Sequence, residues 1–356
     1  MEDKRTTWYR RPWAIPVIAL IVMIGVLFLI PVPYYIMQPG SALEVRPMIQ
    51  VKDTRSKEKG SFYMTTVAMR EGNLLGWVAA KIDSTYQLVP KQKVLGEGEN
   101  PKEYEKRQAE IMHASQQDAV LAAFHQAKRP VSEKLLGVQV FRLIEDMPAE
   151  KVLKEGDLIK KADGKRIRRS EELVGYLSGK KPGEKVQLTV KRNGKLTEKE
   201  LRLGTLDASS GVKRAGIGIQ PVTLRKVTTK PEVNIHADSI GGPSAGLMFS
   251  LEIINQIGGE DLTRGYRVAG TGTITPEGEV GQIGGVQHKV AAADEKGADI
   301  FFVPADRRPG DSNEKRAVKT ARQIGTDMKV VPVKTLGDAI TYLKKLPRDH
   351  SEKNAA

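Results

Sequence analysis

The stretch Asp238-Ser239-Ile240-Gly241-Gly242-Pro243-Ser244-Ala245-Gly246 decides how this chain of 356 residues is interpreted. Its glycines and proline predict a turn, and the apolar run that follows predicts a helix from Ser244 to Ile257. A serine at such a junction presents its hydroxyl in a cleft, and the unpaired backbone N–H groups of the helix start face developing negative charge. The pattern indicates a nucleophilic serine at position 244.

A second motif lies at the start of another predicted helix and reads Gly284-Gly285-Val286-Gln287-His288-Lys289. Its lysine follows Ser244 by 45 positions. A neutral amine can accept the proton of a serine, but the pKa of the lysine must then fall to near 7, at a cost of about 4 kcal/mol that burial can impose. The helical neighbours of Lys289 are small or apolar and cannot pair with an ammonium group: Gly285, Val286, Ala292 and Ala293. The pair therefore predicts a hydrolase with an amine base, and an exposed helix lysine is the alternative.

The composition limits the other function classes. The chain has no cysteine, which excludes thiol catalysis, disulfides and cysteine-based zinc sites. The net charge is +14, and residues 151–202 hold 16 basic against 8 acidic side chains, away from the serine and lysine motifs. Aromatic residues make up only 5%, without the basic and aromatic interleaving that stacks bases. We therefore expect no nucleic-acid partner.

The N-terminal region predicts a membrane anchor over residues 14–35. No charged side chain occurs from Pro12 to Leu43, and residues 14–32 are long enough as a helix to cross a hydrocarbon core of about 30 Å. The positive charges at positions 4, 5, 10 and 11 predict a cytoplasmic N-terminus (1–13), with the rest of the chain outside the cell membrane. A cleaved signal peptide with its site near residues 40–42 is the alternative.

The rest of the chain divides into four predicted segments. Residues 43–125 carry apolar runs that predict strands at 62–69 and 74–78, followed by a charged helix. Residues 131–205 are β-rich, with hairpin turns at Asp163-Gly164 and Asn193-Gly194. Residues 210–347 alternate strands and helices, and residues 348–356 form a polar tail. The predicted fold class is α+β.

The β-rich segment resembles a PDZ domain. Its strand entry Leu135-Leu136-Gly137-Val138, the helix at Pro148-Ala149 and the turn Gly156-Asp157-Leu158-Ile159 carry the resemblance. In such domains an edge strand after the Leu-Gly loop adds an extended peptide to the sheet. The resemblance therefore implies peptide binding at Leu135, Leu136, Gly137 and Val138, and a β module that only spaces its neighbour is the alternative.

Three motifs in order resemble the proteolytic domain of Lon-type serine proteases. They are Gly-Pro-Ser-Ala-Gly (residues 242–246), the run 270–280 and the run 283–289, within a match of about 130 residues from Val212. Residues 43–125 are similar to that domain's opening part, so the resemblance implies a protease domain split by the PDZ module. Anchor, PDZ module and catalytic part together resemble the membrane-anchored PDZ-containing Lon-like proteases of Gram-positive bacteria.

The Lon resemblance implies a catalytic role for three residues of this chain. Ser244 is the implied nucleophile, Lys289 the general base and Thr271 the hydroxyl that bonds the lysine amine. The N–H of Ser244 and the region of Gly242 are implied to form the oxyanion site, with the choice of the second donor left open. His288 departs from the acidic residue common in Lon proteins. The family's nucleotide-binding loop, G-x-x-x-x-G-K-[ST], is missing from the sequence, so neither ATP nor another cofactor is expected.

The expected function is that of a membrane-anchored, ATP-independent serine endopeptidase whose PDZ domain recruits substrate. The expected partners are unfolded or short polypeptides near the lipid bilayer, and the formation of homo-oligomers is left open. A catalytically idle PDZ adaptor that binds peptide tails is the alternative. Two weaker alternatives for the chemistry are a triad of Ser244 with His236 and Asp238, and metal hydrolysis, for which H-E-x-x-H spacing is absent.

Overall fold

A computed structural model describes residues 13–52, 54, 59–82, 85–96, 99–207, 213–237 and 240–347. Their contacts divide the chain into two compact units. The first unit comprises the described residues of 1–96, 101–129 and 233–356, and the second those of 97–100 and 130–232. The predicted N-terminal segment before residue 13 and the predicted polar tail at 348–356 lie outside the described residues.

The regular elements are numbered in chain order. The helices are α1 Ala14–Leu29, α2 Leu74–Ile82, α3 Lys91–Val94, α4 Pro101–Gln126, α5 Ser170–Ser178, α6 Gly246–Gly258, α7 Val286–Glu295, α8 Asn313–Ile324 and α9 Leu336–Lys345. The strands are β1 Pro31–Glu44, β2 Ile49–Val51, β3 Ser61–Asn73, β4 Gln87–Pro90, β5 Val131–Leu143, β6 Leu158–Ala162, β7 Lys165–Arg166, β8 Lys185–Arg192, β9 Lys195–Arg202, β10 Gly204–Asp207, β11 Lys213–Gly216, β12 Ile219–Thr229, β13 Val233–Ile235, β14 Arg267–Gly270, β15 Thr273–Ile274, β16 Val280–Gly281, β17 Ile300–Pro304 and β18 Lys329–Val333. The mixed content agrees with the predicted α+β class.

The first unit is built on a mixed sheet with the strand order β18-β17-β14-β3-β1-β4. The four strands from β18 to β3 are parallel, and β1 is antiparallel to both of its neighbours. Strand β17 is buried at every position, as expected for a parallel strand with both faces covered. Helix α7 packs against β1 and β3, and helix α6 packs against α4. These five elements surround the candidate active site.

The N-terminal helix is shorter than the predicted span. Helix α1 has 16 residues, and the chain is extended from Ile30 into strand β1, so the predicted helix over 14–32 is wrong after residue 29 and does not extend through the predicted anchor over 14–35. Prolines at positions 31 and 33 explain the change, because a residue before proline is pushed out of the helical region and proline itself donates no hydrogen bond. In the described part of the chain, no helix is long and apolar enough to cross a membrane.

The segment Leu74–Val78, predicted as a strand, is the first half of helix α2. Short apolar runs of this kind do not distinguish a strand from a buried helix by their periodicity. The side chain of Asn73 accepts a hydrogen bond from the N–H of Gly76 at 2.8 Å. This bond satisfies one of the unpaired donors at the helix start and explains why the helix begins here.

The second unit contains a sheet with the order β12-β5-β6-β8-β9, in which β7 also pairs with β6. Strand β8 alternates buried and exposed residues, and Val186, Leu188 and Val190 point into the core. Strand β12 pairs along its whole length with β5, so residues up to 229 extend this sheet rather than the protease unit. The β-rich segment therefore extends beyond residue 205, where the sequence pattern predicts its end.

Candidate active site

The turn before helix α6 holds Ser244 close to helix α4. Gly242 has a φ of +87°, a left-handed conformation that glycine adopts without strain. Its N–H donates to the carbonyl oxygen of Gln108 at 3.0 Å. A side chain on Gly241 would also meet the Cβ of Gln108 at 2.7 Å. The two glycines therefore let the turn approach α4 closely, but the Gly242 N–H is already bonded, which contradicts its expected role as an oxyanion donor.

Lys289 lies at the fourth position of helix α7 and is only 3% exposed. Its Nζ is 2.6 Å from the Oγ of Ser244, 2.9 Å from the carbonyl oxygen of Thr65 and 3.1 Å from the Oγ1 of Thr271. Gly285 begins the helix with a φ of +67°, and a side chain there would meet Val67 of strand β3 at 2.9 Å. The helix start therefore packs tightly on β3, which brings the amine to the serine.

The sheet register explains how two threonines meet the lysine. Parallel strands β3 and β14 pair Met64 with Gly270, so the next residues, Thr65 and Thr271, follow at the same level. The Oγ1 of Thr65 donates to the carbonyl oxygen of Gly270 at 3.2 Å, and the backbone carbonyl oxygen of Thr65 accepts from the amine at 2.9 Å. Thr65 did not emerge from the sequence, because its backbone makes the contact and any residue type supplies a carbonyl.

The hydrogen bonds of Lys289 suit an uncharged amine. The Oγ1 of Thr271 donates its proton to the carbonyl oxygen of Ser244 at 3.1 Å, so it accepts from Lys289. The carbonyl of Thr65 only accepts. These two partners take both N–H bonds of a neutral amine, and its lone pair then faces the hydroxyl of Ser244. After proton transfer the third N–H replaces the lone pair, so the amine remains satisfied in both states.

Burial sets the protonation of the site. Desolvation lowers the pKa of Lys289 from 10.5 to about 7, because the charged form loses its hydration without a carboxylate to replace it. The adjacent His288 is also buried, and desolvation lowers its pKa below the ordinary value of 6.5. His288 therefore stays uncharged at neutral pH and offers the amine no countercharge.

The serine and the lysine open onto a cleft of about 760 Å³. Its apolar lining includes Met37, Leu43, Met64, Val67, Met69, Met112, Ile240 and Ile283. Its polar lining is neutral apart from Lys289, with Gln108 and Gln282 among the amides. Such a wall suits apolar groups of a bound ligand.

The alternative triad is not assembled. His236 is exposed, and in the described part of the chain no hydrogen bond joins its side chain to Ser244. The other proposed member, Asp238, lies outside the described residues. The hydroxyl of Ser244 instead contacts the amine of Lys289.

In the second unit, the expected peptide-binding loop is part of a covered strand. Leu135, Leu136, Gly137 and Val138 lie inside β5, which pairs with β12 along its whole length and with β6 at Val138. Gly137 packs against the carbonyl oxygen of Ile159, and Val138 is fully buried. The expectation of an open edge at this segment is therefore corrected, because a later strand, β12, already occupies that edge.

Among the described strands, β12 has β5 as its one neighbour in the sheet, so the other edge of β12 is open. The start of β12 and helix α5 enclose a small groove. The groove is lined from the helix by Leu173, Val174, Leu177 and Ser178 and from the chain before and in β12 by Gly216, Ile217, Gly218, Ile219 and Pro221. Gly218 has a φ of +82°, and a side chain there would meet the Cβ of Met147 at 2.1 Å. A helix beside an exposed strand edge is the arrangement that accepts an added peptide strand.

Two parts of the chain match models of known protein families. Residues 112–203 match the family model described as "PDZ domain", and residues 211–345 match "Lon protease (S16) C-terminal proteolytic domain". The Lon protease of Metamycoplasma arthritidis is 34% identical over 113 residues, which cover 32% of this chain and 12% of that protein. The Lon protease of Neorickettsia sennetsu is 31% identical over 115 residues, which cover 31% of this chain and 13% of that protein.

The chain therefore spans about an eighth of the length of these curated relatives. Among solved structures, the PDZ domain of an SdrC-like protein from Listeria innocua is 36% identical to this chain. The alignment covers 24% of this chain and 92% of that domain, with a TM-score of 0.22. The PDZ domain of an SdrC-like protein from Listeria monocytogenes is 35% identical, with the same TM-score and 87% of that domain covered.

Proposed function

Because the chain carries a serine protease domain of the Lon type together with a PDZ domain, we propose that it is an ATP-independent endopeptidase. In this proposal Ser244 is the nucleophile, Lys289 the general base and Thr271 the hydroxyl that orients the amine. The observation that carries the proposal is the 2.6 Å contact between the Ser244 hydroxyl and a buried amine whose pKa is about 7.

The first chemical step follows from this contact. The lone pair of Lys289 takes the proton of Ser244 as Oγ forms a bond to the substrate carbonyl carbon, and the π electrons of that carbonyl move to its oxygen. When the intermediate collapses, the C–N bond breaks and the ammonium of Lys289 returns its proton to the leaving amine. Water then repeats the sequence on the acyl-enzyme with the same base.

Substrates are proposed to be unfolded or short polypeptides. The cleft is lined largely by apolar and methionine side chains, which adapt to varied extended chains. The printed sequence contains no nucleotide-binding loop of the G-x-x-x-x-G-K-[ST] type, which supports cleavage without ATP-driven unfolding.

The PDZ domain is proposed to recruit these substrates through the groove between α5 and β12. The open edge of β12 supplies backbone hydrogen bonds to an added peptide strand. Leu173, Val174 and Leu177 of α5 provide an apolar wall for a side chain of the peptide. Resemblance to PDZ domains favours a peptide that ends in a free carboxylate.

We also propose that the N-terminal segment holds the protein at the cell membrane with the protease outside. Helix α1 has no charged residue, and its apolar side chains are exposed, among them Ile15, Ile21, Val22 and Leu29. The charges at positions 4, 5, 10 and 11 support a cytoplasmic start of the chain. Adding a protease to intact cells tests this placement. We expect the added protease to degrade the part of the chain after the N-terminal segment, and full protection of the chain would contradict the placement.

The catalytic proposal is tested with the purified full-length chain on casein, without nucleotide. We expect cleavage by the wild type and by His236→Ala, and none by Ser244→Ala or Lys289→Ala. Cleavage that survives in Lys289→Ala contradicts the amine base, and cleavage lost in His236→Ala revives the triad. If no form cleaves casein and all bind peptides equally, the chain is an adaptor.

A further inference from the structure

Helix α4 contacts the nucleophile turn at a second place that the proposed chemistry does not use. Ser115 lies seven residues after Gln108, on the same side of the helix about two turns along. Its side chain is buried, and its Oγ donates to the carbonyl oxygen of Pro243 at 3.0 Å. Ser115 is absent from the cleft lining, so it does not touch a substrate there.

The bond from Ser115 orients the N–H of the nucleophile. The carbonyl of Pro243 and the N–H of Ser244 belong to one peptide plane, and this peptide is trans. In a trans peptide the C=O and the N–H point in opposite directions. The Ser244 N–H is therefore directed away from Ser115. Among the described residues it meets no hydrogen-bond acceptor, although Ser244 itself lines the cleft.

The following peptide plane is held as firmly. The carbonyl oxygen of Ser244 accepts from the N–H of Gly272 at 2.9 Å and from the Oγ1 of Thr271 at 3.1 Å. Both planes that flank the nucleophile are thus tied to neighbouring elements through their carbonyl groups. Among the residues that the structure describes, the N–H of Ser244 is the backbone group that remains unpaired here.

We infer that Ser115 is a positioning residue, which aims the Ser244 N–H at the substrate oxygen that becomes negative during attack. The inference rests on the proposed function. As Ser244 Oγ bonds the carbonyl carbon, the electron pair of the C=O bond moves to the oxygen, and a donor that is already oriented stabilises it without reorganisation. Removing a whole oxyanion donor costs about 10²–10³ in kcat. Loosening one that remains present costs less, and we expect about a tenfold loss.

The chain offers a matched control in Ser250 of helix α6. This residue is fully buried, and the single proton of its Oγ is shared between the carbonyl oxygens of Ala119 in α4, at 3.2 Å, and Gly246 in α6, at 3.0 Å. Ser115→Ala and Ser250→Ala each remove one buried hydroxyl between the same two helices. Only Ser115→Ala removes the side-chain bond to the Pro243 carbonyl, which then keeps only the longer bond, at 3.4 Å, from the N–H of Gly246 among the described residues.

The experiment compares kcat, KM and the pH dependence of the full-length variants on an unfolded protein substrate. We expect Ser115→Ala to lower kcat about tenfold relative to Ser250→Ala, with KM within about twofold and the same pH midpoint. Ser115→Thr, which keeps the hydroxyl, should recover most of the loss. If Ser115→Ala does not fold, Ser115→Cys preserves the volume with a much weaker donor and should show the same fall in kcat.

Three results overturn the inference. If Ser115→Ala and Ser250→Ala have the same kcat, Ser115 has no positioning role. The same conclusion follows if Ser115→Thr is folded but is as slow as Ser115→Ala. A shifted pH midpoint in Ser115→Ala assigns the effect to Lys289 instead. A wild-type chain without peptidase activity rejects the proposed function and the inference together, whereas the first three results reject the inference alone.

Discussion

The active-site cleft and the groove beside α5 differ in what each leaves unpaired. In the cleft, a buried amine meets three oxygen atoms, and its reactivity comes from the loss of water around it. In the groove, the open edge of β12 exposes backbone groups, and the helix adds an apolar wall. The cleft therefore depends on a few atoms at fixed distances, whereas the groove spreads its contacts along a strand. Single substitutions should affect the first by orders of magnitude and the second by small factors.

The largest effect is expected where two cleft side chains act as one unit. Ser244→Ala and Lys289→Met should each lower kcat/KM by about 10⁴-fold or more, because the hydroxyl and the amine exchange one proton. The double variant should be no slower than either single one, as for residues that act together. Rates on a quenched peptide measure this cycle, and losses that multiply in the double variant would show that the two groups act independently.

The pH dependence of the cleft follows from the lowered pKa of Lys289. The amine accepts a proton only when it is neutral, so kcat/KM should rise with pH and level off above about 7. Below that value the rate should fall by about tenfold per pH unit. Peptide binding in the groove, which involves no such group, should stay constant over the same range. A midpoint near 10 would show that Lys289 is solvated in the active protein.

The residues of these two regions could be predicted from the sequence only where their contacts are local in the chain. Ser244 and Lys289 could be predicted because each lies in a short run of glycines and apolar residues, and such a run predicts a turn followed by a helix. Thr65 could not, because its backbone carbonyl makes the contact. The region of Gly242 was expected to contribute to the oxyanion site, but the N–H of Gly242 donates to the carbonyl oxygen of Gln108, which lies in a helix far away in the sequence.

The groove was misplaced for a related reason. The run Leu135–Val138 has the composition of a peptide-binding loop, but exposure of a strand edge depends on which other strand pairs with it. Strand β12, more than 80 residues later, covers β5 and becomes the edge itself. Local patterns predict elements, whereas the order of strands in a sheet is a property of the whole unit.

The stability of the protein should also reveal the difference between the two regions. In the unfolded chain Lys289 has its ordinary pKa of 10.5, and in the folded chain a pKa of about 7, so folding releases a proton between these values. The wild type therefore gains stability as the pH rises from 7 to 10.5 and bears the full cost of the buried amine below 7. Lys289→Met should stabilise the fold by about 2–4 kcal/mol at pH 6, and the gain should shrink towards pH 10. Urea unfolding measures it, with the exposed Lys344→Met as a control that should change little.

The smallest effect is expected in the groove. Val174→Asp places a charge in its apolar wall and should weaken the binding of a peptide with an apolar C-terminus by about tenfold, because the carboxylate is desolvated beside the peptide. Cleavage of a short quenched peptide should remain as in the wild type, since no cleft residue changes. Leu135→Ala, in the covered strand, is the matched variant and should bind as the wild type does. Fluorescence polarisation with the same peptide, free and amidated at its C-terminus, separates the two locations. If Leu135→Ala loses peptide binding and Val174→Asp does not, the peptide binds at β5. The proposed difference between a covered and an open strand edge would then be wrong.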